Sequence, residues 1–150
     1  MVFIKHNNPC GAAENSDILK AYNQAWECDK LSAFGGIVSV NRNIDLALAK
    51  LIAKSGFLEC VICPGFTPEA LGLLKDKKNL RLLELPGLLE KPAGLDFKRV
   101  NAGLLLQDDD ALTLDEKTLK VVTKKKPTQK VLREIDFSIS CPLPKVHCMT

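Results

Sequence analysis

The chain has 150 residues, enough for one ordinary domain with a sizeable core, and a formal net charge of +3. With 46% hydrophobic, 26% charged and only 5% aromatic residues, it reads as a globular α/β protein and not as a disordered tail. So mild a charge points to neither nucleic-acid binding nor membrane attachment, and no apolar run approaches the length of a membrane span.

Val2-Phe3-Ile4 reads as the end of a strand, because β-branched and aromatic runs fit a buried pleated surface. Asn8-Pro9 and Gly11 are strong breakers, so a polar turn is expected after Lys5-His6. Ser16 and Asp17 offer caps for a helix over about Asp17 to Cys28, with Ile18, Leu19, Tyr22, Ala25 and Trp26 on one stripe. A strand, a tight turn and a helix would leave Lys5 and His6 at a strand's carboxyl end, where open α/β sheets usually bind small ligands.

Asp29 to Gly36 reads as a loop closing on a double glycine, and Ile37 to Val40 as the next strand. Asn43 is a plausible cap for a second helix carrying Ile44, Leu48, Leu51 and Ile52, which Gly56 would stop. Leu58 to Cys63 predicts a third strand closed by Pro64-Gly65. Thr67 caps and Pro68 starts a short third helix with Ala70, Leu71 and Leu74. Leu80 to Leu85 predicts a fourth strand, and Pro86 to Asp96 a loop. Phe97 to Gln107 reads as a strand broken at Gly103, and Leu119 to Thr123 as short and extended. A last helix opens at Pro127-Thr128, with Val131, Leu132 and Ile135 on one face. Alternating strands and helices predict a layered α/β sheet with mostly parallel neighbours.

The remaining chemistry is sparse. The lysine runs Lys75-Asp76-Lys77-Lys78 and Lys124-Lys125-Lys126 fit solvated faces better than binding patches. No secretory signal is visible, since Lys5 and His6 interrupt the apolar start, so reduced cysteines in the cytoplasm are expected. Cys60 and Cys63 lie three apart in a strand and point to opposite faces, unlike a zinc knuckle. The deaminase metal pattern of His-x-Glu and Pro-Cys-x-x-Cys is absent from the sequence. By spacing alone, Lys5-His6 would be an idle strand-end pair, and Glu59 a carboxylate facing water.

Several ungapped motifs change that balance. Lys5-His6-Asn7-Asn8-Pro9-Cys10-Gly11 comes first, then Leu31-Ser32-Ala33-Phe34-Gly35-Gly36 with Ile37-Val38 and Asn41-Arg42. Glu59 ahead of Val61-Ile62 and Pro64-Gly65 follows, then Gly94-Leu95-Asp96-Phe97-Lys98-Arg99-Val100-Asn101 with Gly103-Leu104-Leu105 and Gln107. In this order, from residue 1 to about 137, the chain resembles the transformylase region of the AICAR transformylase/IMP cyclohydrolase family.

The resemblance implies a cytidine-deaminase-like layered α/β unit, truncated and without the deaminase zinc, over residues 1–137. It implies formyl transfer from 10-formyltetrahydrofolate, as co-substrate, to the 5-amino group of AICAR ribotide, in a homodimer and with no metal. Lys5 and His6 match the family's catalytic pair. Gly35 matches a main-chain contact to the nucleotide, and Glu59 the acidic residue that holds the AICAR ring. Leu31 lies on the side where folate approaches, and Asn8, Pro9, Gly11, Ser32 and Phe34 support the turns. The chemistry is consistent: histidine, with an ordinary pKa of about 6.5, suits removal of the amine proton, and lysine suits the oxyanion or the departing N10. Adjacent strand residues point to opposite faces, so Lys5 and His6 converge only if the chain bends at Asn7-Asn8-Pro9.

The ends depart from the family pattern. Residues 138–150, with Cys141, Pro142, Pro144, His147 and Cys148, read as an aberrant tail that does not pack. A second deaminase-like unit and a Lys-Ser-Asn segment are missing, so the expectation is a fragment inactive alone. The alternative is a non-catalytic α/β module that binds nucleotide weakly or associates with full-length subunits.

Overall fold

A computed structural model of the chain describes residues 1–6, 8–90, 94–108 and 115–140. It divides into two compact units, Met1–Leu89 and Glu90–Cys141.

The first unit is α/β, as the alternation of patterns requires. Its strands are β1 (Val2–Lys5), β2 (Asn8–Ala12), β3 (Ile37–Ser39), β4 (Cys60–Cys63) and β5 (Arg81–Glu84). Its helices are α1 (Ile18–Cys28), α2 (Lys30–Ala33), α3 (Leu46–Lys54) and α4 (Pro68–Lys75). The sheet order is β2-β1-β3-β4-β5. β3, β4 and β5 run parallel, but β1 is antiparallel to both β2 and β3. The sheet is therefore mixed, and the expectation of mostly parallel neighbours fails on its β1 side.

The reason is the segment read as a turn. Asn8-Pro9-Cys10-Gly11-Ala12 is an edge strand hairpinned onto β1, not a turn leading into a helix. Proline is tolerated there because an edge strand can leave one side of its ladder unmade. The register slips by one residue between Phe3 and Ile4, since Phe3 faces Gly11 whereas Ile4 faces Pro9. Cys10 is the extra residue of that bulge. Breaker residues signalled an interruption of regular structure, and an edge strand with a bulge meets the same demand.

Local signals placed most helices. Asp17 accepts from the Leu19 and Lys20 amides and caps α1. Thr67 caps α4 with Pro68 in its first turn. Asp29 caps the short α2, a turn of helix inside the expected loop, through the Ser32 amide at 3.0 Å. Asp45 rather than Asn43 caps α3, because Ile44 is still extended and bridges Phe66 in parallel.

Phe3, Tyr22, Val38, Val40, Ile44, Leu48, Ile52, Val61 and Leu74 are the large residues of the core. Phe3 meets the edges of Tyr22 and Trp26 at centroid distances of 5.2 and 5.3 Å, fastening β1 beneath α1. Gly11 lies where α1 crosses β2, and a Cβ there would collide with the Ala25 carbonyl oxygen.

The second unit contains a hairpin and a helix. β6 (Leu95–Val100) and β7 (Gly103–Asp108) pair antiparallel, so the strand read over Phe97 to Gln107 is two strands. The reversal falls at Asn101-Ala102, where Ala102 has φ +61°. Leu119 to Thr123 forms no strand. α5 (Gln129–Ser140) continues through Ser138, Ile139 and Ser140, which the sequence placed in the tail. Residues 141–150, with Cys141, His147 and Cys148, lie outside the described residues.

Burial and the 2.7 Å bond to Ser55 Oγ define the surroundings of Tyr22, the single tyrosine. Burial pushes its phenol up from 10 to about 12, with the Ser55 bond opposing in part. The folded pKa exceeds the unfolded one, so this contribution to stability is intact below pH 10 and is lost as pH rises towards 12. Absorbance at the phenolate band is expected to titrate near 12 in native protein and near 10 in denaturant. A native midpoint equal to the denatured one would contradict the packing described.

Candidate functional site

Pairing of β1 with β3 decides where the candidate residues meet. Ile4 faces Ile37, Ile37 faces Cys60, and Cys60 faces Arg81. Because β1 is reversed, its carboxyl end lies beside the amino ends of β3, β4 and β5. Lys5, Gly36 and Glu59 therefore line up at one end of the sheet, with Arg81 one residue further along β5, and the four strands span roughly 14 Å at about 4.8 Å per strand. For the parallel strands this is the amino end, opposite to the usual α/β ligand crevice.

Hydrogen bonds tie the row together. Lys5 Nζ donates to the Phe34 carbonyl at 2.8 Å. The Glu59 amide donates to the Gly36 carbonyl at 3.0 Å, and the Arg81 amide to the Glu59 carbonyl at 2.9 Å. Arg81 NH1 also reaches Glu59 Oε2 at 3.2 Å. Gly35 has φ +71°, a left-handed conformation that glycine adopts without strain. Its amide donates to the Phe57 carbonyl at 2.7 Å, and the Gly36 amide to Ala33 at 3.0 Å.

What remains free defines what the row can do. The Phe34 and Gly36 carbonyls are occupied, whereas among the described residues the Gly35 carbonyl accepts no bond. Glu59 Oε1 is likewise free once Arg81 has taken Oε2. His6 is exposed, and its imidazole has no partner among the described residues. Its φ of +53° makes His6 itself the start of the reversal that closes the hairpin. The bend therefore comes earlier than Asn8-Pro9, which already belong to β2. Asn7 lies outside the described residues. Asn8 Nδ2 donates to the His6 carbonyl at 3.3 Å and braces that reversal. The Lys5 ammonium gives one of its donors to the double-glycine loop and makes no bond to the imidazole.

The other expected residues flank this row. Pro9 is exposed on β2 and Gly11 is buried against α1. Leu31 is 88% exposed on α2, and Ser32 is held by Asp29. The Phe34 ring leans on Phe57 at 5.9 Å. A cleft of 340 Å³ opens at the same sheet end, walled by Ser55, Phe57, Lys77, Lys78 and Asn79. None of Lys5, His6, Gly35 or Glu59 lines it, although Phe57 joins it to the Gly35 amide.

A model of the AICARFT/IMPCHase bienzyme family matches residues 1–142. The chain belongs to this family. It is also similar to the bifunctional purine biosynthesis protein PurH of Thermoanaerobacter sp. (strain X514), with 50% identity over 137 residues. The match covers 91% of the chain but 26% of that relative, so the chain spans about a quarter of its length.

Two neighbours of the site escaped sequence reasoning. Arg81 pairs with Glu59, and Phe57 anchors Gly35. Each of Glu59 and Arg81 stands at the start of a consecutive apolar strand, and that spacing was the available signal. As for metals, no group of three or more His, Cys, Asp or Glu among the described residues could hold one. Cys60 and Cys63 are buried, and burial pushes the Cys63 thiol up to about 11. No described helix is long and apolar enough to cross a membrane.

Gly35→Ala should cost about 1–2 kcal/mol from left-handed strain alone, because the added methyl meets nothing nearer than the Phe57 ring at 3.7 Å. Gly35→Asn should cost less. Urea unfolding midpoints check both, and an alanine variant as stable as wild type would contradict the geometry of the loop.

Proposed function

We propose that this sheet end is the nucleotide-facing part of a formyltransferase site in purine biosynthesis. The reaction is transfer of a formyl group from 10-formyltetrahydrofolate to the 5-amino group of AICAR ribotide. The observation that carries this reading is the row of unmatched acceptors beside a free imidazole: the Gly35 carbonyl, Glu59 Oε1 and His6. AICAR presents amine and carboxamide N–H groups on adjoining ring carbons, and such donors need acceptors so disposed.

The chemistry follows from what each group has left. An aromatic amine conjugated to a carboxamide is a weak nucleophile. His6 takes its proton as the nitrogen attacks the formyl carbon. The new N–C bond produces a tetrahedral oxyanion, whose collapse breaks the bond to folate N10, which departs protonated. Lys5 has three donors and uses one on Phe34, so the others serve the oxyanion or N10. Gly35 contacts the nucleotide through its carbonyl, since its amide is engaged by Phe57. Exposed Leu31 belongs to the folate side. On this reading residues 1–137 are deaminase-like and the working enzyme is a homodimer.

A second reading, a non-catalytic module that associates with full-length subunits, is favoured by the hairpin of the second unit. Leu95, Phe97, Leu104 and Leu106 on one of its faces are each about half exposed.

In equilibrium dialysis the chain is expected to retain AICAR ribotide at least about tenfold more tightly than adenosine monophosphate, whose closed ring lacks the amine and carboxamide pair. Equal retention of the two nucleotides would contradict the proposal. With both substrates present, the chain alone is expected to release no formylated product. Turnover that His6→Ala abolishes would show the stretch to be self-sufficient.

A further inference from the structure

Glu59 is more than half exposed at its side chain (51%), as is Arg81 (68%). An ion pair so exposed adds little to stability. Its geometry is nonetheless specific. The two residues stand at the start of adjacent parallel strands, and the Arg81 amide donates to the Glu59 carbonyl at 2.9 Å while its guanidinium takes Glu59 Oε2 at 3.2 Å. Backbone and side chain of Arg81 thus both grip Glu59. One carboxylate oxygen is consumed and the other is left bare.

We propose that Arg81 is a positioning residue. It holds the Glu59 carboxylate in one rotamer, with Oε1 presented to the ring donors of the nucleotide. This rests on the reading of Glu59 as the carboxylate that binds AICAR. A free glutamate at a strand start samples several rotamers, and ordering it costs affinity when ligand binds. Arginine suits the task because its guanidinium stays charged and is a planar fork of donors. A lysine keeps the charge and loses the fork.

Calorimetric titration of AICAR ribotide into the chain tests this with Arg81→Gln, Arg81→Lys, Glu59→Gln and the double variant Glu59→Gln/Arg81→Gln. Arg81→Gln should raise Kd about two- to fivefold with the melting temperature nearly unchanged, the cost of ordering one rotamer-rich side chain. Arg81→Lys should recover part of the loss. The double variant should bind no worse than Glu59→Gln, because Arg81 acts only through that carboxylate. Wild-type affinity in Arg81→Gln with binding lost in Glu59→Gln would overturn the inference alone. Wild-type affinity in Glu59→Gln would overturn the underlying reading, and the inference with it. A readout without ligand is the set of Glu59 χ1 scalar couplings. They should report one rotamer in wild type and averaging in Arg81→Gln, and averaging already in wild type would also overturn the inference.

Discussion

Antiparallel pairing of β1 with β3 is the constraint on which this architecture turns. Were β1 parallel to β3, Lys5 and His6 would leave the sheet at the far end from Gly35 and Glu59. Reversed, β1 delivers a cation and an imidazole to the amino ends of three parallel strands. There the double-glycine loop and the carboxylate already stand. The usual crevice at the carboxyl ends of parallel strands lies at the opposite end of the sheet from these residues.

That reversal is held by the ladders of β1 with β2 and β3 and by packing under α1. Phe3, wholly buried, wedges between β1 and the stacked Tyr22 and Trp26 of α1. Gly11 lets β2 press against the Ala25 backbone, so the hairpin is clamped between a helix and a sheet. Polar groups then finish the site on a rigid base. Lys5 secures Phe34, Phe57 secures Gly35, and Arg81 secures Glu59. The groups left over are two acceptors, one imidazole and the remaining donors of Lys5. Rigid supports with free functional ends are what preorganised binding requires.

Much of this was legible in the sequence where the signal was local. Asp17, Thr67 and Pro68 mark helix starts by their own side-chain chemistry, and the stripe from Ile18 to Trp26 names its buried face. Where a residue's meaning depends on a distant partner, the sequence misled. Asn8-Pro9 and Gly11 look like a turn until β1 is available to pair with them. Asn43 loses the cap of α3 to Asp45 because Ile44 is drawn into a bridge with Phe66. Lys5-His6 and Glu59 were singled out by motif resemblance alone, and by spacing they read as idle surface residues. The Arg81 partnership needed the parallel register of β4 and β5, which no single stretch of sequence encodes. The bend expected at Asn7-Asn8-Pro9 begins instead at His6, since a hairpin requires positive φ where its loop opens.

The central claim is that a donor-rich nucleotide docks at the amino ends of β3, β4 and β5. Amide chemical-shift mapping of the isotope-labelled chain, titrated with AICAR ribotide, addresses it most directly. The account predicts saturable shifts at His6, Gly35, Gly36, Glu59 and Arg81, with little change at the other sheet end around Asn41, Gly65 and Leu85. Shifts concentrated at Asn41, Gly65 and Leu85, with His6 and Glu59 unmoved, would contradict it.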